Sequence, residues 1–332
     1  MDKTLKTFPR IVFMGTPDFA VESLRALVEG GYNVAGVVTI PDKPVGKHQS
    51  VLQASPVKEY ALSQNLPLLQ PEKLKDPDFL NQLQAWKADL QIVVAFRMLP
   101  EVVWNMPPSG TFNLHASLLP RYRGAAPINW AIINGEKETG VTTFFLTHEI
   151  DAGKIIFQER IPIEDTDNAE IIHDQLMRTG ANLVIKTVDA IIRKEVHTVE
   201  QKALIANEEI LKPAPKIFRE TCRIDWKKTT QEVYDFIRGL SPYPAAWTEL
   251  QISQNELLSL KIFETEKIRK QHHLIPGSVV SDGKKQLDLA TSDGFIRIKN
   301  LQQTGKKQMS VEDFLRGNAR LFYEKFRTDS LP

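Results

Sequence analysis

Residues 10–15 and 32–40 are apolar runs with none of the polar alternation of a half-exposed strand, and the segment between them, Asp18 to Val28, is stopped by Gly30-Gly31. Strands of that kind are buried on both faces, as in a parallel sheet flanked by helices. The sequence therefore predicts a β-α-β opening. Strands at 66–69 and 90–96 continue it, with helices from Ser55-Pro56 to about Gln64 and from Asp76-Pro77 to about Lys87. Both helices begin with a capping residue followed by proline, the pattern of a helix N-terminus. A sheet of this type invites a dinucleotide cofactor. However, Gly15-Thr16-Pro17-Asp18 lacks G-x-G-x-x-G and puts a carboxylate where a pyrophosphate would approach, which disfavours a nicotinamide-dependent reductase.

A chain of 332 residues exceeds one ordinary core and predicts two domains. Thr166 to about Glu195 is amphipathic at helical spacing; after it, Val196 to Lys212 is polar and runs into Pro213-Ala214-Pro215. Beyond a helix at 229–240, short alternating segments at 248–252, 257–263, 277–280, 286–290 and 295–301 are separated by turn residues such as Ser292-Asp293-Gly294, the pattern of a small barrel. The resulting division is a catalytic domain over 1–195, a linker over 196–215 and a smaller domain over 216–332. A net charge of +1 means that any nucleic-acid contact must come from local patches. The single cysteine, Cys222, allows neither an internal disulfide nor a thiolate metal site and fits a reducing compartment. The charged start leads into a strand without an apolar signal core, and no run is long enough to span a bilayer, so the expectation is a cytoplasmic protein without a membrane segment.

The densest chemistry lies in Thr111 to Pro127. Thr111 to His115 reads as a short strand after the Pro107-Pro108-Ser109-Gly110 turn. On a strand Asn113 and His115 share a face, so that an amide donor and an imidazole point the same way. Ser117-Leu118-Leu119-Pro120 follows as a semi-rigid turn, then Arg121 and Arg123, then a helix from Pro127 to Asn134. Buried Asn and His on a strand are often only satisfied core polar groups, and the triplet alone leaves both readings open. Asp151-Ala152-Gly153 falls in the turn between strands at 141–147 and 154–160. The loop Pro41 to Ala54, with Lys43 and Lys47, is long for a strand-to-helix connection. It reads either as a solvated surface or as a basic finger for phosphates. The same two readings apply to Lys306 and Lys307.

Taken together, Asn113-Leu114-His115, Ser117-Leu118-Leu119-Pro120 and Arg123-Gly124-Ala125-Ala126-Pro127 resemble the formyltetrahydrofolate-dependent formyltransferases. So do Arg10 to Phe19, the loop Pro41 to Lys47 with Ser55 to Lys58, Asp151-Ala152-Gly153, Lys216 to Trp226 and Gly305 to Met309. The likeness covers nearly the whole chain and is greatest to the family's transfer-RNA-modifying members. It implies a Rossmann-like, mostly parallel sheet with flanking helices followed by an OB-like β-barrel. The implied reaction moves the formyl group of 10-formyltetrahydrofolate, without a metal, to the amino group of initiator methionyl-tRNA; a small amine such as glycinamide ribonucleotide or an amino sugar nucleotide is the alternative acceptor. It also implies Asn113, His115 and Asp151 as catalytic residues. Ser117, Leu118, Leu119, Pro120, Phe96, Met98 and Leu99 are then the folate contacts, with the head of Arg97 turned outward. Lys43, Lys47, Arg121, Arg123, Lys306 and Lys307 are the transfer-RNA contacts. A monomer is the default expectation.

Overall fold

The computed structural model describes residues 6–45, 51–205, 211–253 and 256–318; Lys47 lies outside them. The chain divides into two compact units, neither continuous in sequence. One comprises Met1–Gly124, Thr139–Ile161 and His173–Pro213; the other comprises Ala125–Glu138, Pro162–Ile172 and Ala214–Pro332.

The elements run β1 (Lys6–Gly15), α1 (Asp18–Glu29), β2 (Tyr32–Val38), β3 (Lys43–Val45), β4 (Val51–Gln53), α2 (Pro56–Ser63), β5 (Leu68–Leu69), α3 (Pro77–Ala85), β6 (Leu90–Val94), α4 (Glu101–Trp104), β7 (Thr111–His115), α5 (Pro127–Ile133), β8 (Glu138–Phe145), β9 (Ile155–Pro162) and α6 (Ala169–Arg193). Seven of the strands form one sheet in the order β5-β2-β1-β6-β7-β8-β9. Pairing is parallel from β5 through β7, and β8 runs antiparallel to β7. Ile11, Val12, Phe13 and Met14 are completely buried, and every residue of β6 is buried, as expected for strands covered on both faces. The Ser55 hydroxyl accepts from Lys58 N and the Asp76 carboxylate from Asp78 N and Phe79 N, satisfying helix donors that would otherwise be orphaned. The stretch read from sequence as a loop over 41–54 instead contains an antiparallel pair, β3 with β4. Pairing its two ends supplies main-chain partners that a bare loop would have to find in water.

The second unit contains α5 together with α7 (Thr230–Gly239), β10 (Ala246–Ser253), β11 (Glu256–Ile268), β12 (Val279–Ser281), β13 (Leu287–Ala290), β14 (Phe295–Gln303), β15 (Met309–Ser310) and α8 (Val311–Gly317). The strands pair in the order β10-β11-β14-β13-β12, with β15 beside β14, all antiparallel, giving an OB-like half-barrel. The strand expected to end at 263 continues to Ile268. Register shifts on either side of Glu264 bend it, as bulges do, so it stays paired with β14. Leu260, Ile262, Leu287, Ile296, Ile298 and Phe314 are among the side chains that fill the core. Helices α5 and α7 approach closely because Gly239 has no side chain: a Cβ there would sit 2.7 Å from Ile133 Cγ1.

Candidate active site

Strand β7 lies between β6 and β8, with Asn113 opposite Val93 on one side and Phe144 on the other, and His115 opposite Thr142. Asn113 is half-buried, and its amide makes no side-chain hydrogen bond among the described residues. His115 is buried, and its Nε2 lies 2.9 Å from the main-chain carbonyl of Tyr122. A carbonyl can only accept, so Nε2 carries the hydrogen and Nδ1 is the nitrogen left for chemistry. Tyr122 is buried with φ at +60°, and its own N–H donates to Lys212 O at 2.8 Å. A bulky residue in the left-handed region is an outlier that costs on the order of 1–3 kcal/mol. Here that conformation belongs to the residue whose carbonyl fixes the imidazole.

The Ser117–Pro120 turn is tied down from β8 and β9. Thr142 Oγ1 donates to Ser117 O at 2.6 Å and accepts from Leu119 N at 3.2 Å, while Gln158 Nε2 donates to Leu119 O at 2.8 Å. Ser117 Oγ donates to Arg121 O at 2.8 Å. Leu119 is buried in a cluster with Phe144 and Ile155, and Pro120 is buried. Leu118 is half-buried over Gly140, where a Cβ would come within 2.5 Å of Leu118 Cδ2. After β6, Leu99 is buried and Phe96 half-buried against one core cluster, and Met98 is 75% exposed. Arg97 does not turn outward as expected. Its Nη1 donates to Glu72 O at 2.8 Å, Nη2 donates to Pro71 O, and burial lowers the pKa of the guanidinium. Two main-chain carbonyls within reach outweigh the expected snorkelling. A cavity of about 410 Å³ lined by Gln70, Pro71, Glu72, Asp76 and Phe79 contains none of the predicted site residues.

Asp151 sits in the β8–β9 connection with φ at +52°, a conformation Asp tolerates better than most residues. Its Oδ2 accepts from Gly124 N at 3.0 Å. The segment Tyr122–Gly124 thus holds His115 through one carbonyl and Asp151 through one N–H, bringing the two residues to the same three-residue stretch. A Cβ at Gly153 would lie 1.6 Å from Phe145 O, so the turn closes only with glycine there.

Of the predicted cationic contacts, Lys43 is exposed on β3, Arg121 is exposed, and Lys306 and Lys307 are exposed between β14 and β15. Arg123 is half-buried, and its Nε and Nη2 donate to Gln201 Oε1 at 3.0 and 2.6 Å. Sequence reasoning missed a transverse row in the second unit. Arg223 pairs with Trp247, Trp247 with Lys261 and Lys261 with Gln302, which puts these side chains on one face. The guanidinium carbons of Arg219 and Arg223 lie 5.9 and 5.4 Å from the Trp247 ring centre, Arg223 also reaches Glu249 at 3.2 Å, and Gln302 Nε2 donates to Lys306 O at 2.8 Å. The inward alternation of Ala246, Thr248 and Leu250 is the signal that would have turned Trp247 outward.

Residues 9–211 match the family described as formyl transferase, and residues 216–319 match the formyl transferase C-terminal domain. The chain belongs to the formyl transferase family. Similar members include the methionyl-tRNA formyltransferase of Azobacteroides pseudotrichonymphae, 65% identical over 313 residues that make up 94% of this chain and 97% of that protein. The methionyl-tRNA formyltransferase of Bacteroides fragilis is 64% identical, covering 93% of this chain and 94% of the relative. Among solved structures, the N-formyltransferase from Helicobacter canadensis in complex with folinic acid and dTDP-3-aminofucose shares the fold, with a TM-score of 0.61 at 22% identity over 89% of this chain and 99% of that one. Among the described residues no cluster of His, Cys, Asp and Glu has metal-holding geometry, and no helix is long and apolar enough to cross a membrane.

Proposed function

We propose that this formyl transferase carries the formyl group of 10-formyltetrahydrofolate to the amino group of the methionyl moiety of initiator methionyl-tRNA, for translation initiation in the cytoplasm. The observation that carries this reading is identity of 63–65% to methionyl-tRNA formyltransferases over more than nine-tenths of the chain. The half-buried amide and buried imidazole on β7 support it chemically.

The amine attacks the formyl carbon, and negative charge gathers on the formyl oxygen. Asn113 donates an N–H to that oxygen, and its neutral amide does not titrate; one well-placed donor of this kind is worth ~10²–10³ in rate. His115, with Nε2–H committed to Tyr122, uses Nδ1 to take the proton the attacking nitrogen loses and returns it to the departing tetrahydrofolate nitrogen. Asp151 fixes the segment beside the imidazole through its bond from Gly124 N. Leu118, Phe96, Met98 and Leu99 wall the folate, and the main chain of Ser117–Pro120 contacts it. The transfer-RNA contacts are assigned to Lys43, Lys47, Arg121, Arg123, Lys306 and Lys307, joined by Arg223, Trp247 and Lys261, a cationic and aromatic set suited to phosphates and bases. The enzyme acts as a monomer. Catalysis belongs to residues 1–195, apart from Ala125–Glu138 and Pro162–Ile172, which group with the second compact unit. RNA binding belongs to residues 216–332, and 196–215 joins the two while packing on the catalytic part through Gln201.

The test is a formylation assay with purified protein, 10-formyltetrahydrofolate and methionyl-tRNA, run beside glycinamide ribonucleotide and an amino sugar nucleotide. Rapid formylation of methionyl-tRNA alone is the expected result. Turnover of a small amine with none on methionyl-tRNA overturns the reading.

A further inference from the structure

Gln201 lies in a single 3₁₀ turn, Gln201–Leu204, within a polar stretch where no motif marks it, and only 2% of it is exposed. Its Oε1 accepts from Arg123 Nε at 3.0 Å and Nη2 at 2.6 Å, and its Nε2 donates to the carbonyls of Asp151 at 2.8 Å and Gly153 at 2.9 Å. Gly124, next to Arg123, donates its N–H to Asp151 Oδ2 at 3.0 Å. These bonds close a ring: Arg123 to Gln201, Gln201 to the Asp151 turn, and the Asp151 carboxylate back to Gly124. A neutral amide of this length is needed because the site asks for an acceptor toward a guanidinium and two donors toward carbonyls; glutamate offers only the acceptor and methionine neither.

We propose that Gln201 is a positioning residue for formyl transfer, holding the left-handed Asp151 turn against the Tyr122–Gly124 segment that orients His115. This rests on the proposed roles of His115 and Asp151. A turn with positive φ persists only where its surroundings over-determine it, and Gln201 supplies two of its outside bonds. Displacement of about 1 Å in a catalytic arrangement costs roughly 10²-fold in rate.

The experiment compares wild type, Gln201→Glu, Gln201→Met and Asp151→Asn in methionyl-tRNA formylation, with thermal melts and hydrogen exchange at the Gly124 amide. Both Gln201 variants are expected to fold, to lose about 10²-fold in kcat with the KM for 10-formyltetrahydrofolate within about twofold, to shift the pH profile of kcat, and to speed exchange at Gly124. Gln201→Glu, which keeps only the Arg123 side, is expected to be as impaired as Gln201→Met. Folded variants with wild-type kcat and pH profile overturn the inference, as does a near-normal Gln201→Glu. If Asp151→Asn itself retains wild-type kcat, the reading of Asp151 fails instead.

Discussion

The imidazole of His115 and the main-chain carbonyl of Tyr122 are joined at 2.9 Å, and this contact decides which ring nitrogen is available. Glutamine in place of His115 can still donate an N–H toward that carbonyl but cannot relay a proton. His115→Gln is therefore expected to melt close to wild type and to lose ~10²–10⁴ in kcat. Asn113→Ala is expected to lose ~10²–10³ by removing one donor to the oxyanion. Steady-state formylation rates measure both. A folded His115→Gln enzyme within a few-fold of wild type would remove the proton relay from the mechanism.

Gly153 sets the shape of the Asp151 turn. A methyl group there meets Phe145 O at 1.6 Å, and a main-chain atom of a β-strand paired within the sheet cannot swing aside. In Gly153→Ala the turn itself must move, and Asp151 moves with it. The expected outcome is a folded protein with a lower melting temperature and about 10²-fold lower kcat. Circular dichroism and the formylation assay report the two effects separately, and unchanged kcat would show that the turn has no part in catalysis.

The strands and caps of the first unit were legible because burial on both faces leaves an apolar run and because Ser55 and Asp76 stand directly before prolines. The pairing of Asn113 with His115 was legible because strand alternation is local. What stayed hidden depends on partners distant in sequence. The β3–β4 pair is two three-residue segments, below the length at which a pattern shows. Helices α4 and α8 span only four and seven residues. The extension of β11 past 263 follows from a bulge. Gln201 is a polar residue in a polar stretch, and its four bonds to residues 48 or more positions away leave no trace in spacing. The face shared by Arg223, Trp247 and Lys261 is a matter of cross-strand register, fixed only once the sheet is assembled.

The base of the β3–β4 hairpin carries a pH-dependent anchor. Lys58 Nζ donates to Asp42 Oδ2 at 2.6 Å and Gln70 Nε2 donates to Oδ1 at 2.9 Å; the Lys58 bond first, then that from Gln70, lowers the pKa of the Asp42 carboxyl. With the folded value depressed, the unfolded chain binds the proton more readily. The contribution is therefore complete above the ordinary carboxylate range and disappears as pH falls through the depressed value. Asp42→Asn is expected to melt below wild type at about pH 7, with the gap closing as pH falls from the ordinary carboxylate range through the depressed value. Melts over that range check it, and a constant gap would show that the Asp42 charge contributes nothing to the anchor.

Trp247 and Lys261 test the RNA-facing role of the second unit. They are cross-strand partners on β10 and β11; Lys261 is exposed, and Trp247 is half-buried, packed on the edge of the core that holds Ala246, Leu260 and Ile262. Stacking of a base on an aromatic ring is worth about 1–3 kcal/mol, and each lysine that neutralises a phosphate adds close to one unit to the salt dependence of binding. Trp247→Ala is expected to raise KM for methionyl-tRNA about 5- to 100-fold, leaving KM for 10-formyltetrahydrofolate unchanged. Lys261→Ala is expected to weaken transfer-RNA binding and reduce the slope of log Kd against log salt by about one. Filter binding across salt concentrations, beside kinetics for both substrates, separates these effects from misfolding, which would lower the active fraction for donor and acceptor alike. Unchanged acceptor KM and salt slope in both variants would take this face out of recognition and leave Lys306 and Lys307 to act without it.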